Sequence, residues 1–378
     1  MKILSVFGTR PEAVKMAPVV DALKGIPGLE SRTCVTAQHR QMLDQVLNLF
    51  AIQPEYDLDL MREDQSLAEL SAAIFTHLDP ILAEFQPDWV LVQGDTTTVA
   101  VTALLAYFRR IRVGHVEAGL RTHDKWQPFP EEVNRRVAGV IADLHFAPTE
   151  WARQNLLREG IPAESILVTG NPVIDALQHV ADQPTPAEVT RLLSDLGIEP
   201  ARAGQGDPRS LILVTAHRRE NFGEPLRNIC KALVTLAGSE AVEIVYPVHL
   251  NPNVRETVHQ MLSETANVTL LPPLDYLPLV HLMKRSRLVL TDSGGLQEEA
   301  PAFGVPVLVL REVTERPEGI ESGTLKLVGT DPERIIREAR RLLHDPEAYA
   351  SMARAVNPFG DGQAAGRIAG ALLDYQGK

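Results

Sequence analysis

GHVEAGLRTHDKWQPFPEEVNRR, running from Gly114 to Arg136, contains the junction that decides the fold. Val113 to Val116 reads as a short buried strand of a parallel sheet, ended at Glu117, where Ala118 and Gly119 let the backbone turn. Glu117 therefore lies at the carboxyl end of a strand, the edge where open α/β sheets hold ligands. After a loop with His123, Asp124 and Trp126, Phe129-Pro130-Glu131-Glu132 opens a helix, with Pro130 at or just before its first turn. Glu131 is thus carried near a helix N-terminus, where a carboxylate also favours the helix dipole with no further role. Together with Glu117 at the preceding strand end, it could instead face one cleft as half of an acid/base pair.

The same grammar extends to both sides. Ile3 to Phe7 is a strand stopped by Gly8-Thr9-Arg10-Pro11, and a helix follows through Val14, Ala17, Val20 and Leu23. This loop lacks the second and third glycines of a dinucleotide fingerprint, and Arg10 stands where a phosphate would sit. Thr33 to Thr36 is a second strand, with Gln38, His39 and Arg40 at its end and a helix from about Gln41 to Leu49. Asp57-Leu58-Asp59 follows no hydrophobic strand and carries little weight as a metal-binding pair. A helix from Ser66 to Phe85 precedes the strand Trp89 to Val92, and Asp95 just beyond fits either a helix N-cap or a third strand-end carboxylate. Further strands are expected at Ala142 to Phe146 and Ile166 to Thr169, with a helix between Thr149 and Glu159.

A polar run through Gln183-Pro184-Thr185-Pro186 reads as a linker, after which strand-turn-helix units resume. Strands are expected at Leu211 to Thr215, Val242 to Tyr246, Val268 to Leu271, Leu288 to Thr291 and Val307 to Leu310. The strongest anion-binding signal is Asp292-Ser293-Gly294-Gly295 before a helix, where a hydroxyl and unobstructed backbone N–H groups meet the helix dipole. A tight turn would need the same glycines, and Gln297, Glu298 and Glu299 could either accept from ribose hydroxyls or sit on the surface. Gly360-Asp361-Gly362 follows no strand and is rejected as a cofactor motif; it leads into a last helix, from about Gln363 to Tyr375. The pattern is α/β, with two Rossmann-like domains.

Length and composition agree. At 378 residues the chain suits two domains, and its 44% hydrophobic and 23% charged content is that of a soluble globular protein. A net charge of -12 with no Lys/Arg-rich run argues against a nucleic-acid partner, though not against an anion held by a few local arginines. Cys34 and Cys230 are far apart in apolar settings, which points to a reducing, cytoplasmic compartment and neither disulfide nor cysteine metal site. The apolar run from Met1 to Phe7 is too short for a signal peptide or membrane span, so no membrane partner is expected.

Six runs carry a resemblance: Gly8 to Ala13, Gly94 to Thr98, Gly114 to Arg121, Phe129 to Glu132, Thr215 to Asn221 and Asp292 to Glu299. In this order they closely resemble the bacterial non-hydrolysing UDP-N-acetylglucosamine 2-epimerases, over Gly8 to about Gly362. The resemblance implies two Rossmann-like domains facing across a cleft, as in GT-B glycosyltransferases. These would span residues 1–172 and 173–360, with a C-terminal helix, 361–378, returning to the first. It implies inversion at C2 of UDP-N-acetylglucosamine to give UDP-N-acetylmannosamine, through elimination of UDP to 2-acetamidoglucal and re-addition, without a cofactor or metal. Asp95, Glu117, Glu131 and His217 match the catalytic residues, and Arg10, Lys15, Ser293, Gly294, Gly295, Glu299 and Arg316 match the UDP site.

The resemblance further implies a homodimer that supplies N-acetylmannosamine for cell-surface polysaccharide, and a second UDP-N-acetylglucosamine acting as allosteric activator at Gln38, Gln41 and His249. Some members carry an arginine just before the Gln-Ser/Thr-Leu that opens the long helix; here the position is Asp64, which would repel a diphosphate, with Arg62 nearby. Competing readings are a hydrolysing epimerase, a UDP-sugar glycosyltransferase and a non-enzymatic sugar-nucleotide sensor, the last having little use for three carboxylates.

Overall fold

The structure, a computed structural model, describes residues 1–37, 40–60, 62, 64–198 and 209–375, leaving aside the side chains of 40–42. The chain divides into two compact units, Met1–Gln178 with Phe359–Lys378, and His179–Pro358.

Unit 1 runs β1 (Lys2–Phe7), α1 (Arg10–Lys24), β2 (Glu30–Val35), α2 (Arg40–Leu49), β3 (Tyr56–Asp57), α3 (Leu67–Phe85), β4 (Trp89–Gln93), α4 (Thr97–Phe108), β5 (Arg112–Val116), α5 (Glu131–Ile141), β6 (Leu144–Ala147), α6 (Glu150–Arg158) and β7 (Ile166–Val168). α7 (Pro172–Ala181) leads out of it. Its strands form one parallel sheet in the order β3-β2-β1-β4-β5-β6-β7. β4 is buried at every position, as expected of a Val/Leu-rich run covered on both faces. Leu4, Val6, Val90 and Val92 pack with Ile74, Leu78 and Val99 of the flanking helices, which fixes where each strand ends.

Unit 2 begins with α8 (Ala187–Asp195) and continues β8 (Ser210–Thr215), α9 (Glu224–Ser239), β9 (Val242–Pro247), α10 (Pro252–Leu262), β10 (Val268–Leu271), α11 (Tyr276–Arg285), β11 (Leu288–Thr291), α12 (Gly294–Glu299), β12 (Val307–Val309), α13 (Pro317–Glu321), β13 (Leu325–Leu327), α14 (Pro332–His344) and α15 (Pro346–Ala353). Its parallel sheet runs β10-β9-β8-β11-β12-β13. In both units the chain starts centrally, builds outward to one side, then crosses to the other. The reversal lies between β1 and β4 in unit 1 and between β8 and β11 in unit 2, and it is there that such sheets leave a crevice for ligands.

Three differences from the sequence reading have plain causes. The division falls at Gln178 and not Pro172, because α7 runs straight through the expected boundary. Asp57 does belong to a strand, the two-residue β3, whose pairing with Cys34 and Val35 of β2 no hydrophobic run announces. β13 was likewise too short to stand out, and Lys326 interrupts its apolar pattern. α16 (Ala364–Asp374) belongs to unit 1 and packs on α1. The glycines before it serve packing: at Gly362, with φ 79°, a Cβ would lie 1.9 Å from Gln178 Oε1.

Candidate active site

Glu117 is the anchor of unit 1. It follows β5 with φ 63°, a left-handed conformation that costs a non-glycine residue on the order of 1–3 kcal/mol and is held only where neighbours impose it. They do so here on both sides, since Gly94 N donates to Val116 O and Ala118 N donates to Phe146 O, each at 3.0 Å. The buried carboxylate then accepts from Lys15 Nζ at 2.5 Å, Gln93 Nε2 at 2.6 Å and Asn171 Nδ2 at 2.9 Å. Lys15, expected at the UDP, is thus paired with Glu117. Gln93 and Asn171 carry no sequence signal for this contact. Their partner is 24 and 54 residues away, beyond any local pattern.

Asp95 is not the N-cap of α4: Thr96 takes that place, its hydroxyl accepting from Val99 N. The Asp95 carboxylate instead pairs with Arg135 of α5, at 2.6 Å from Nη2 and 3.0 Å from Nε. Asp95 and Glu117 are linked through His115, whose ring donates from Nε2 to Gly94 O at 2.7 Å. Burial pushes this histidine down to about 4, so it serves as a neutral brace. Glu131 opens α5, and its Oε2 is buried without a hydrogen-bond partner among the described residues. Glu132 beside it is fully buried and accepts from Thr122 N at 3.0 Å and His123 N at 3.2 Å. Glu132 thus ties down the loop, which sets it apart from Glu131.

Arg10 is the first residue of α1, beside the loop after β1, and its side chain makes no hydrogen bond or ion pair among the described residues. The loop is held by Glu12, which accepts from Gly8 N at 2.9 Å, Thr9 N at 2.7 Å and Thr96 Oγ1 at 2.6 Å. Those contacts join the ends of β1 and β4 at the switch point, so Arg10 is presented from a fixed turn.

In unit 2 the organiser is Asp292, fully buried after β11. Its Oδ2 accepts from His217 N and Arg218 N at 2.8 Å and from Asn221 Nδ2 at 2.9 Å, and so draws the loop after β8 to the loop after β11. The His217 ring lies with Nδ1 3.6 Å from Asp292 Oδ1 and stacks on His249 at 5.3 Å between centroids. Ser293 precedes α12, and a Cβ placed on Gly294 would come within 3.6 Å of Nη2 of both Arg218 and Arg316. Two guanidinia therefore converge on this glycine turn, and Arg218 is a phosphate-binding candidate that the sequence reading passed over. Gln297, Glu298 and Glu299 are all buried, which removes the surface alternative. Gln297 donates to Ser293 O at 3.1 Å, and Glu298 pairs with Arg316 and steadies it. Glu299, the ribose candidate, lies with Oε1 3.7 Å from a Cβ placed on Gly295.

Of the expected activator residues, Gln38 and the side chain of Gln41 lie outside the described residues. His249 is placed, with Nδ1 accepting from Asn251 N at 3.0 Å. Among the described residues no group of three or more His, Cys, Asp or Glu side chains could hold a metal ion, and no helix is long and apolar enough to cross a membrane.

The sequence model of the UDP-N-acetylglucosamine 2-epimerase family matches residues 21–373, nearly the whole chain. The chain belongs to the UDP-N-acetylglucosamine 2-epimerase family. It is 56% identical to the UDP-N-acetylglucosamine 2-epimerase of Salmonella typhimurium, covering 100% of this chain and 99% of that one. The UDP-GlcNAc 2-epimerase of Neisseria meningitidis, solved bound to UDP-GlcNAc, is 48% identical with a TM-score of 0.88, covering 99% of this chain and 100% of that one. That of Methanocaldococcus jannaschii, in complex with UDP-GlcNAc and UDP, is 32% identical with a TM-score of 0.80, over 99% of each chain. Likeness to these epimerases extends through both units, so the carboxylates of unit 1 and the glycine turn of unit 2 both lie inside it.

Proposed function

We propose that this epimerase interconverts UDP-N-acetylglucosamine and UDP-N-acetylmannosamine without hydrolysis, through 2-acetamidoglucal. The C2 proton is not adjacent to a carbonyl, so its removal needs simultaneous loss of the C1 substituent. A carboxylate takes the C2 proton while the C1–O bond breaks, its electron pair leaving with the UDP β-phosphate oxygen and a C1=C2 double bond forming. Protonation of C2 from the other face and return of UDP to C1 complete the inversion, with no net oxidation. The observation that carries this reading is Glu117, held in a strained backbone by its neighbours and gripped by Lys15, Gln93 and Asn171.

In this reading Asp95, Glu117 and Glu131 manage the proton at C2. Arg10, Lys15, the Ser293-Gly294-Gly295 turn and Arg316, with Arg218 added, stabilise the departing diphosphate. Glu299 accepts from the ribose, and His217, braced by Asp292, serves the leaving group. We further assign the protein to the cytoplasm as a homodimer supplying N-acetylmannosamine units for cell-surface polysaccharide, activated by a second UDP-N-acetylglucosamine at Gln38, Gln41 and His249.

Incubation with UDP-N-acetylglucosamine in deuterated water tests the reaction. Deuterium at C2 of both epimers, with no accumulation of UDP, is the expected result. Stoichiometric UDP with free N-acetylmannosamine would make the enzyme hydrolysing, transfer of the sugar to an acceptor would make it a glycosyltransferase, and absence of C2 exchange would leave a sensor.

A further inference from the structure

Arg135 sits four residues after Glu131 on α5, the spacing at which helical side chains of opposite charge ordinarily pair. It turns elsewhere. Its Nη2 and Nε both reach Asp95 Oδ2, at 2.6 and 3.0 Å, and its Nη1 lies 3.3 Å from Glu132 Oε2. The next residue back, Asn134, donates from Nδ2 to the Asp95 carbonyl at 2.9 Å, so α5 holds both the main chain and the side chain of Asp95. The Arg135 side chain is 12% exposed, against 28% for Asp95, so the pair is shielded on the arginine side and open on the carboxylate side. Both contacts fall on Oδ2; Oδ1 has no hydrogen-bond partner among the described residues. Glu131 Oε2, which Arg135 could have neutralised, is buried without one.

We infer that Arg135 is a positioning residue that sorts these two carboxylates: it locks Asp95 with Oδ1 presented for proton transfer, and by doing so leaves Glu131 unpaired. Two N–H groups converging on one carboxylate oxygen fix its distance and its rotation together, which a single ammonium cannot do. The Glu132 contact holds the guanidinium in turn, so a grip on Asp95 is built into the helix that carries Glu131. The inference rests on the assignment of Asp95 as a catalytic residue.

A double-mutant cycle on the full-length enzyme separates the two claims, reading C2 deuterium exchange, kcat and KM, with UDP binding as a check that the fold is intact. Arg135→Ala should lower kcat about ten- to hundredfold with KM and UDP affinity nearly unchanged. Arg135→Lys should recover only part of the loss, and added guanidinium ion should raise the rate of Arg135→Ala but not of Asp95→Asn. In the Asp95→Asn background, Arg135→Ala should cost little more, because the residue it acts through is already lost. Asp95→Asn at wild-type speed would sink the Asp95 assignment. Slow Asp95→Asn combined with a full, independent further loss from Arg135→Ala would leave that assignment standing and overturn the positioning role, as would equal recovery by lysine and no response to guanidinium. Loss of UDP binding in Arg135→Ala would make the residue structural and equally overturn it.

Discussion

The two units share a strand order and use it for opposite electrostatics. At the reversal in unit 1, carboxylates stand at the ends of β4 and β5 and at the start of α5, with Lys15 and Arg135 set against them. At the reversal in unit 2 the acids are behind and the cations in front: Asp292 and Glu298 are buried, and they hold the loop that carries Arg218 and the Arg316 side chain. The first unit sets carboxylates at its strand ends beside Arg10 and Lys15, and the second sets guanidinia around a glycine turn. The fold decides where side chains emerge, and residue identity at a few strand ends decides what chemistry they can do.

The sharpest way to break this division is to compare losses in the two units. Glu117→Gln should lower turnover about a hundredfold or more, the scale of losing a general acid or base, with little change in UDP affinity. Arg316→Ala should do the reverse, raising the UDP dissociation constant about ten- to hundredfold, as expected for a charge-assisted hydrogen bond. Calorimetric UDP titration beside steady-state kinetics reads both. If Glu117→Gln weakened UDP binding as much as Arg316→Ala, the units would not divide the labour as described. Arg10→Ala should fall between them, affecting binding and rate together, because the leaving diphosphate is present before and during C1–O cleavage.

The contrast was only half legible in the sequence. Glu117 and the Ser293-Gly294-Gly295 turn could be placed because apolar runs mark where β5 and β11 stop, and residues just past a strand end are ligand candidates on that ground alone. The resemblance set Glu131 apart from Glu132, and the structure supplies the physical ground: burial and the Thr122 and His123 amides claim Glu132. Asp292 looked like part of an anion-binding loop and proved to be its foundation, since the amides it accepts from lie 74 and 75 residues away. Gln93, Asn171 and Arg135 were hidden for the same reason: a hydrogen bond between segments far apart in sequence leaves no periodic trace.

A smaller difference should appear in acid. His115 of β5 and His145 of β6 face each other across paired positions in the unit 1 sheet. Burial pushes them down to about 4 and about 3, from an ordinary 6.5. Their contribution to stability is complete above pH 6.5. As the pH falls below that value the unfolded chain takes up protons that the folded unit refuses, so stability is lost progressively towards the folded values. At pH 5 each histidine should cost roughly 2 kcal/mol. Hydrogen exchange between pH 7 and 5, corrected for intrinsic rates, should show β5 and β6 losing protection before β8 and β11, and His145→Gln should remove its share. Equal loss in both sheets would contradict the assignment of this acid sensitivity to unit 1.

The smallest effect expected concerns regulation, and it lies in unit 1 just before α3. Asp64 is exposed, with φ 54°, two residues before Ser66 caps α3. Aspartate tolerates that left-handed backbone better than most residues. By the resemblance, some members carry an arginine at this position, and a carboxylate there would oppose an activator's diphosphate where a guanidinium would attract it. An exposed charge contact is worth only about 0.2–1 kcal/mol, so Asp64→Arg should tighten activation no more than a few-fold, less whatever the φ costs the longer side chain. The reverse reaction from UDP-N-acetylmannosamine, with and without a trace of UDP-N-acetylglucosamine, isolates activation from substrate supply, because the activator is then distinct from the substrate. The expected result is a dependence on the trace that shifts to lower concentration in Asp64→Arg. A dependence that Asp64→Arg leaves where it was would show that the carboxylate does not weaken activation, and full activity without the trace would remove the activator site from this enzyme altogether.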